Sequence, residues 1–213
     1  MARTQIASLW FSDTTVDFRK SYLNGILMAH SIVIFGASGD LTSRKLIPAL
    51  YRLFQKKKLP VETRIIGVSR SPYSDEQWRQ QLTETTAKFS GKLFDNESWN
   101  AFSQQVHYQP GDIGCTDDFV KLGSFLDEIE PGHGADRVYY LSTMPQLYEE
   151  AILQLGRAGL NKHESLSRRV VIEKPFGTDL ASAQALNHSI HRVFDEDQIY
   201  RIDHYLGKET VQN

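Results

Sequence analysis

A doubly wound, mostly parallel α/β sheet with helices on both faces is the fold class that the sequence predicts. Two patterns carry that expectation. Short continuous apolar runs such as Ile32-Val33-Ile34-Phe35 and Val170-Val171-Ile172 suit strands buried on both faces, and they alternate with amphipathic helical stretches. A glycine-rich turn, residues 36 to 40, lies directly between the first apolar run and the first helical stretch, giving a β-turn-α unit.

Residues 1 to 30 follow neither a helical nor a strand period and are expected to be a poorly ordered N-terminal extension. Within it Asp13 and Asp17 disfavour an organellar transit peptide, Arg3 and Arg19 favour one, and Met28 offers a second start just ahead of the first strand. From Ser31 the pattern is regular. After the strand Ile32–Phe35 and its turn comes a helix with Leu46, Leu50, Leu53 and Phe54 on one face. Pro48 is expected near the start of that helix, where a missing N–H costs least, and Lys56-Lys57-Lys58 followed by Pro60 closes it. A second strand, Arg64–Ser69, runs into Arg70, and Asp75, Trp78 and Leu82 mark another helix. Residues 91 to 107 read as a further helix carrying Trp99 and Phe102, ahead of a short strand around Val106-His107-Tyr108. The stretch 116 to 129 predicts a helix capped by Thr116 or Asp117, with Phe119, Leu122, Phe125, Leu126 and Ile129 at helical spacing. A strand at 137 to 142, a helix at 146 to 158, a strand at Arg169–Ile172 and a helix from Leu180 to Phe194 complete the alternation. The polar break Asp195-Glu196-Asp197 predicts a boundary, dividing a sheet domain over 31 to 195 from the start of a second domain over 196 to 213.

Composition narrows the partners. With 24 basic against 26 acidic residues the net charge is -2, so neither nucleic acid nor an anionic membrane is expected to be attracted, and any cationic site must be local. The single cysteine, Cys115, cannot form an internal disulfide; it fits a reducing, cytoplasmic setting and reads as a neutral thiol. No apolar run approaches the roughly 20 residues of a membrane helix. His188 and His191 stand three apart on a predicted helix but have no evident Cys, Asp or Glu partner, so no metal site is predicted.

Three motifs carry chemistry. In GASGDLTS, residues 36 to 43, Gly36 permits a tight turn, Gly39 allows close backbone approach, and the following helix N-terminus suits a diphosphate. Ser38, Thr42 and Ser43 can donate to phosphate or cap the helix. The pattern falls short of the full G-x-G-x-x-G fingerprint, and a glycine turn also serves as plain punctuation between strand and helix. At the end of the second strand stands Arg70 rather than Asp or Glu. A carboxylate there would repel a 2′-phosphate, whereas Arg70 would pair with it, which points to NADP; a solvated surface arginine is the alternative. EKPFG, residues 173 to 177, ends a strand where open α/β sheets bind ligands. Lys174 supplies a cationic donor, and Pro175 can fix the chain path through a cis bond; an exposed lysine beside a proline stop is the plainer reading. The third motif, RIDHYLGKE at 201 to 209, gathers Arg201, Asp203, His204, Tyr205 and Lys208, enough to hold a phosphate and to orient a base.

GASGDL, EKPFG and RIDHYLGKE, in that order, resemble the signatures of the glucose-6-phosphate dehydrogenase family from about residue 31 to residue 213. The resemblance implies NADP binding by Gly36, Ala37, Ser38, Gly39, Asp40, Leu41, Thr42, Ser43 and Arg70, with Tyr148 as a cofactor-contacting tyrosine. It further implies that Lys174 bridges cofactor and sugar phosphate, and that His204, Tyr205, Gly207 and Lys208 bind glucose 6-phosphate. Arg201 and Lys208 would favour a neutral His204, but the resemblance gives that histidine to the phosphate. Asp203 matches the carboxylate that orients a catalytic histidine. That histidine, the homo-oligomer interface and the rest of the sugar site belong in the family to a larger α+β domain, no part of which follows Asn213. The chain alone is therefore expected to be weak or inactive as a dehydrogenase, and a non-catalytic NADP-binding fragment is the alternative. Met144-Pro145 replaces a usual proline pair and Thr42 a usual alanine. A short-chain reductase is disfavoured because no Tyr-x-x-x-Lys dyad is present.

Overall fold

A computed structural model of the chain describes residues 22–23, 26–27, 29–177 and 179–202. The expectation for residues 1 to 21 lies outside them, as do Asp203, His204, Tyr205, Gly207 and Lys208. A short antiparallel pair, Tyr22–Leu23 with Ile26–Leu27, precedes the main sheet. That sheet has six strands: β1 (Ala29–Phe35), β2 (Thr63–Ser69), β3 (Val106–Pro110), β4 (Ala135–Leu141), β5 (Arg168–Glu173) and β6 (Ile199–Ile202). Their spatial order is β3-β2-β1-β4-β5-β6, and every neighbouring pair is parallel. All strands therefore end on one edge. The winding reverses between β1 and β4, and that reversal opens a crevice at the strands' carboxyl ends.

Alternation within the strands divides the core into two layers. Ile32, Ile34 and Ile65 face helices α1 (Ile47–Gln55), α2 (Asp75–Ser90) and α3 (Asn96–Ser103), meeting Leu50, Tyr51, Trp78 and Phe102. Val33, Phe35, Ile66, Tyr139 and Ile172 face α4 (Thr116–Ile129), α5 (Tyr148–Arg157) and α6 (Leu180–His191), meeting Phe119, Leu126, Ile152 and Ile190. Both faces are covered, as the near-continuous apolar strands predict.

Four local features differ from the sequence expectation. Helical structure before α1 begins at Asp40 rather than near Pro48, and a π-helical turn, Thr42–Leu46, lies between. Pro48 thus sits inside the helical run. A widened turn relieves the clash between its ring and the carbonyl four residues back. The expected helix over 91 to 107 shrinks to α3: residues 75 to 90 belong to α2, and Asp95 caps α3 by accepting from the Ser98 N–H at 2.7 Å. Cys115, not Thr116 or Asp117, is the N-cap of α4 and makes no capping hydrogen bond; the Thr116 hydroxyl donates instead to Gln154 Oε1 at 2.8 Å. Finally, the sheet runs through the boundary expected at 195. After a 3₁₀ turn at Glu196–Gln198, β6 pairs with β5 in the register Glu173↔Ile202.

Candidate active site

The glycine turn closes on backbone from two strands. Gly36 and Ala37 donate their N–H groups to Val68 O at 2.9 and 3.2 Å, which ties the turn to the end of β2. Gly36 has φ +82°, and a Cβ there would lie 2.1 Å from Ser142 O, just past the end of β4. Only glycine fits. Gly67 is needed for a different reason, since a Cβ on it would enter the Trp78 ring at 2.4 Å, and that ring supports the turn from below through Ala37.

The first i→i−4 bond of the helix after the turn runs from Ser43 N–H to Gly39 O at 3.2 Å, so the N–H groups of Asp40, Leu41 and Thr42 precede the helical ladder. They carry the positive end of the helix dipole at the crevice. Their side chains have other work. Thr42 is fully buried, its hydroxyl within 3.2 Å of both Gly36 O and Ser142 Oγ, so it clamps the turn to β4 and is turned away from solvent. The Ser43 hydroxyl donates to Gly39 O at 3.2 Å, and Asp40 pairs with Arg44 at 3.3 Å. Ser38 is exposed and accepts from the Ser69 hydroxyl at 3.1 Å. The expectation that Thr42 or Ser43 caps the helix is not met: neither side chain makes a capping bond, and both bond to carbonyls.

Arg70 follows the last residue of β2, is exposed, and has no ion-pair partner among the described residues. Its neighbour Ser69 is fixed by Tyr108, whose hydroxyl lies 2.7 Å from Ser69 Oγ and donates to Ser71 O at 2.8 Å; burial pushes the Tyr108 phenol up. The backbone that carries Arg70 is thereby held on both sides of it.

At the end of β5, Glu173 gathers two phenols, a cluster that the sequence reading missed. The Tyr140 hydroxyl donates to Glu173 Oε1 in a very short bond, and burial followed by the Glu173 charge raises its pKa strongly. Tyr148, the first residue of α5 and only 2% exposed, is pushed up to about 12 by burial and by the same carboxylate. Both phenols stay protonated in neutral solution. Alternation places Tyr140 on the same face of β4 as Val138, but nothing local pairs it with a residue more than thirty positions away. Lys174 is exposed, the Lys174–Pro175 bond is cis, and the Lys174 N–H donates to Ile202 O at 3.3 Å. The ends of β5 and β6 are thus joined at the carboxyl edge. Arg201 is not a spare phosphate cation: its guanidinium is bonded to Glu196 at 2.8 and 3.2 Å and to Asn187 at 2.6 Å. His188 and His191 form no metal centre among the described residues, and His191 Nε2 lies 3.1 Å from Glu196.

Glycine turn, Arg70, Glu173 and Lys174 therefore share one edge of the sheet. Residues 33–213 match the family described as glucose-6-phosphate dehydrogenase, NAD binding domain. The chain belongs to the glucose-6-phosphate dehydrogenase family. It is 46% identical over 184 residues to a glucose-6-phosphate 1-dehydrogenase of Aggregatibacter actinomycetemcomitans, a match covering 85% of this chain and 37% of the relative. The enzyme of the same name from Bacillus subtilis is 41% identical, with 85% and 36% covered. A solved glucose-6-phosphate dehydrogenase in complex with its substrate glucose-6-phosphate superposes with a TM-score of 0.76 at 35% identity, over 87% of this chain and 38% of that one. The Mycobacterium avium glucose-6-phosphate 1-dehydrogenase gives 0.73 at 34%, over 86% and 38%. The chain thus spans under two-fifths of the length of these glucose-6-phosphate dehydrogenases. No helix among its described residues is long and apolar enough to cross a membrane.

Proposed function

We propose that the chain is the cofactor-binding part of a glucose-6-phosphate dehydrogenase that oxidises C1 of glucose 6-phosphate to the 6-phospho-lactone with NADP. The observation that carries this reading is the fit of the crevice to a dinucleotide: a turn where a Cβ would strike Ser142 O, a helix N-terminus with three N–H groups ahead of its ladder, and an exposed arginine past β2. NADP supplies the hydride acceptor. The N–H groups of Asp40, Leu41 and Thr42 hold the diphosphate, with Gly36 to Gly39 letting it approach the backbone and Ser43 completing the turn. Arg70 pairs with the 2′-phosphate through its planar fork.

Glu173, held by Tyr140, fixes the start of the Lys174–Pro175 turn, and Tyr148 closes the wall behind it. Lys174 then holds substrate beside cofactor. His204, Tyr205, Gly207 and Lys208 take the sugar phosphate, whose binding energy positions C1, and Asp203 orients a histidine that receives the hydroxyl proton. That histidine and the oligomer interface belong to the rest of the family's length. The near-balanced charge and single cysteine support action in the cytoplasm on a small molecule, with neither nucleic acid nor membrane as partner.

The deciding experiment is calorimetric titration of the 213-residue chain with NADP and with NAD, alongside NADPH production from glucose 6-phosphate. Binding that prefers NADP supports the assignment; binding without turnover favours the second reading, a non-catalytic NADP-binding fragment. Failure to bind either dinucleotide would sink both.

A further inference from the structure

The Tyr108 phenol reaches from the edge of the sheet to the turn that carries Arg70. Tyr108 stands in the middle of β3, the edge strand, and is only 4% exposed. Its ring packs edge-on against Tyr73, with 5.6 Å between centroids, and lies tilted against Trp78 at 5.2 Å. Its N–H donates to Asp75 Oδ1 at 2.7 Å. Packing and backbone together therefore fix where the hydroxyl points.

That hydroxyl meets both residues flanking Arg70. It donates to Ser71 O at 2.8 Å, and it lies 2.7 Å from Ser69 Oγ and 3.3 Å from Ser69 O. Ser71 O also accepts from the Tyr73 N–H at 2.9 Å, and Ser69 O from the Gly111 N–H at 3.0 Å. Burial raises the pKa of the phenol, so it keeps its proton and remains a donor in neutral solution. Ser69 carries the connection one step further, because its hydroxyl donates to Ser38 Oγ in the glycine turn at 3.1 Å. A run of three hydroxyls, Tyr108, Ser69 and Ser38, thus joins the arginine turn to the glycine turn.

Arg70 itself is exposed, and an exposed arginine gives up a large share of side-chain freedom when it binds. With its backbone already fixed, only its own rotamers are left to order before its planar fork meets a phosphate. Loosening Ser69 and Ser71 would add backbone freedom to that cost. The added cost falls on a ligand with a 2′-phosphate, since NAD offers Arg70 nothing to pair with.

We infer that Tyr108 is a positioning residue for cofactor choice: through Ser69 and Ser71 it holds Arg70 where a 2′-phosphate arrives, and so raises the preference for NADP over NAD. This role rests on the assignment of the crevice to NADP. It brings into cofactor selection a side chain from β3, which carries none of the three motifs.

The test is calorimetric titration of the full chain with NADP and with NAD, in wild type, Tyr108→Phe, Arg70→Ala and the double variant. Tyr108→Phe removes one oxygen and keeps the ring on Trp78. It should lower the NADP-over-NAD preference by about three- to tenfold, the worth of a single hydrogen bond, and should lower it no further once Arg70 is alanine. Ser69→Ala, which takes away the other hydroxyl of the pair, should lower the preference in the same direction and carries the test should Tyr108→Phe fail to fold. Equal weakening of both dinucleotides would mean that the phenol only supports the fold, and would overturn the role. So would a fall in preference that persists in full in the Arg70→Ala background. A wild-type chain without NADP preference would remove the crevice assignment and this role together, an outcome that is read before any variant is made.

Discussion

Arg70 and Gly36 separate two kinds of dependence at single positions. Arg70 is exposed and has no ion-pair partner among the described residues, so Arg70→Ala should leave the melting temperature unchanged. Losing a charge-assisted pair is worth about 1.5–3 kcal/mol, so its NADP-over-NAD preference should fall by about 10- to 100-fold in calorimetric titration. Gly36→Ala should fail in both measures. Its φ of +82° disfavours any side chain and its Cβ would overlap Ser142 O, so a loss of more than the ~1–3 kcal/mol typical of local strain is expected in urea unfolding, together with loss of dinucleotide binding. Gly36, Arg70 and Lys174 were legible in the sequence because each follows a strand directly and its chemistry is local. Glu173 with Tyr140 was not: the pair forms through the lateral register of β4 and β5, which no stretch of a few residues encodes.

Elements were legible in proportion to how strictly their own residues decide them. The five longest strands and the helices at 116 to 129 and 180 to 191 follow from apolar runs and helical spacing. β6 did not, because Ile199-Tyr200-Arg201-Ile202 is short and its middle is exposed, so only pairing with β5 makes it a strand. The early start of the first helix was hidden for another reason, since a π turn before a proline depends on packing rather than propensity. One side chain tests how helix and sheet are joined. Asp75, in the first turn of α2, accepts from the Tyr108 N–H at 2.7 Å and lies 3.1 Å from His107 Nδ1, tying α2 to β3. Asp75→Asn should cost about 1–3 kcal/mol in denaturant unfolding: its amide oxygen can still accept from the Tyr108 N–H, but its NH2 then replaces the oxygen that accepts from Arg79 Nη2 at 3.3 Å, setting donor against donor.

For the molecule as a whole, buried phenols set the alkaline limit. Tyr139 and Tyr148 are both pushed up to about 12, burial being the main cause, so the folded chain holds their protons where the unfolded chain releases them near 10. The folded state should keep its full stability below about pH 10 and lose it as pH rises towards 12, measured as the urea midpoint against pH. A flat midpoint across that window would contradict the burial of these side chains. NADP at about a hundred times its dissociation constant should add about 2.7 kcal/mol, seen as a higher melting temperature. The strand order carries one more consequence, in time rather than energy. β1 lies at the centre of the sheet yet is the first of its six strands to be synthesised, and β4, its partner on the far side, emerges about a hundred residues later. A nascent chain that has reached Pro110 can pair β1 with β2 and β2 with β3, but the other flank of β1 still presents open backbone donors and acceptors. The central strand therefore waits longest for its second neighbour, and that interval is when its open flank is exposed to mispairing.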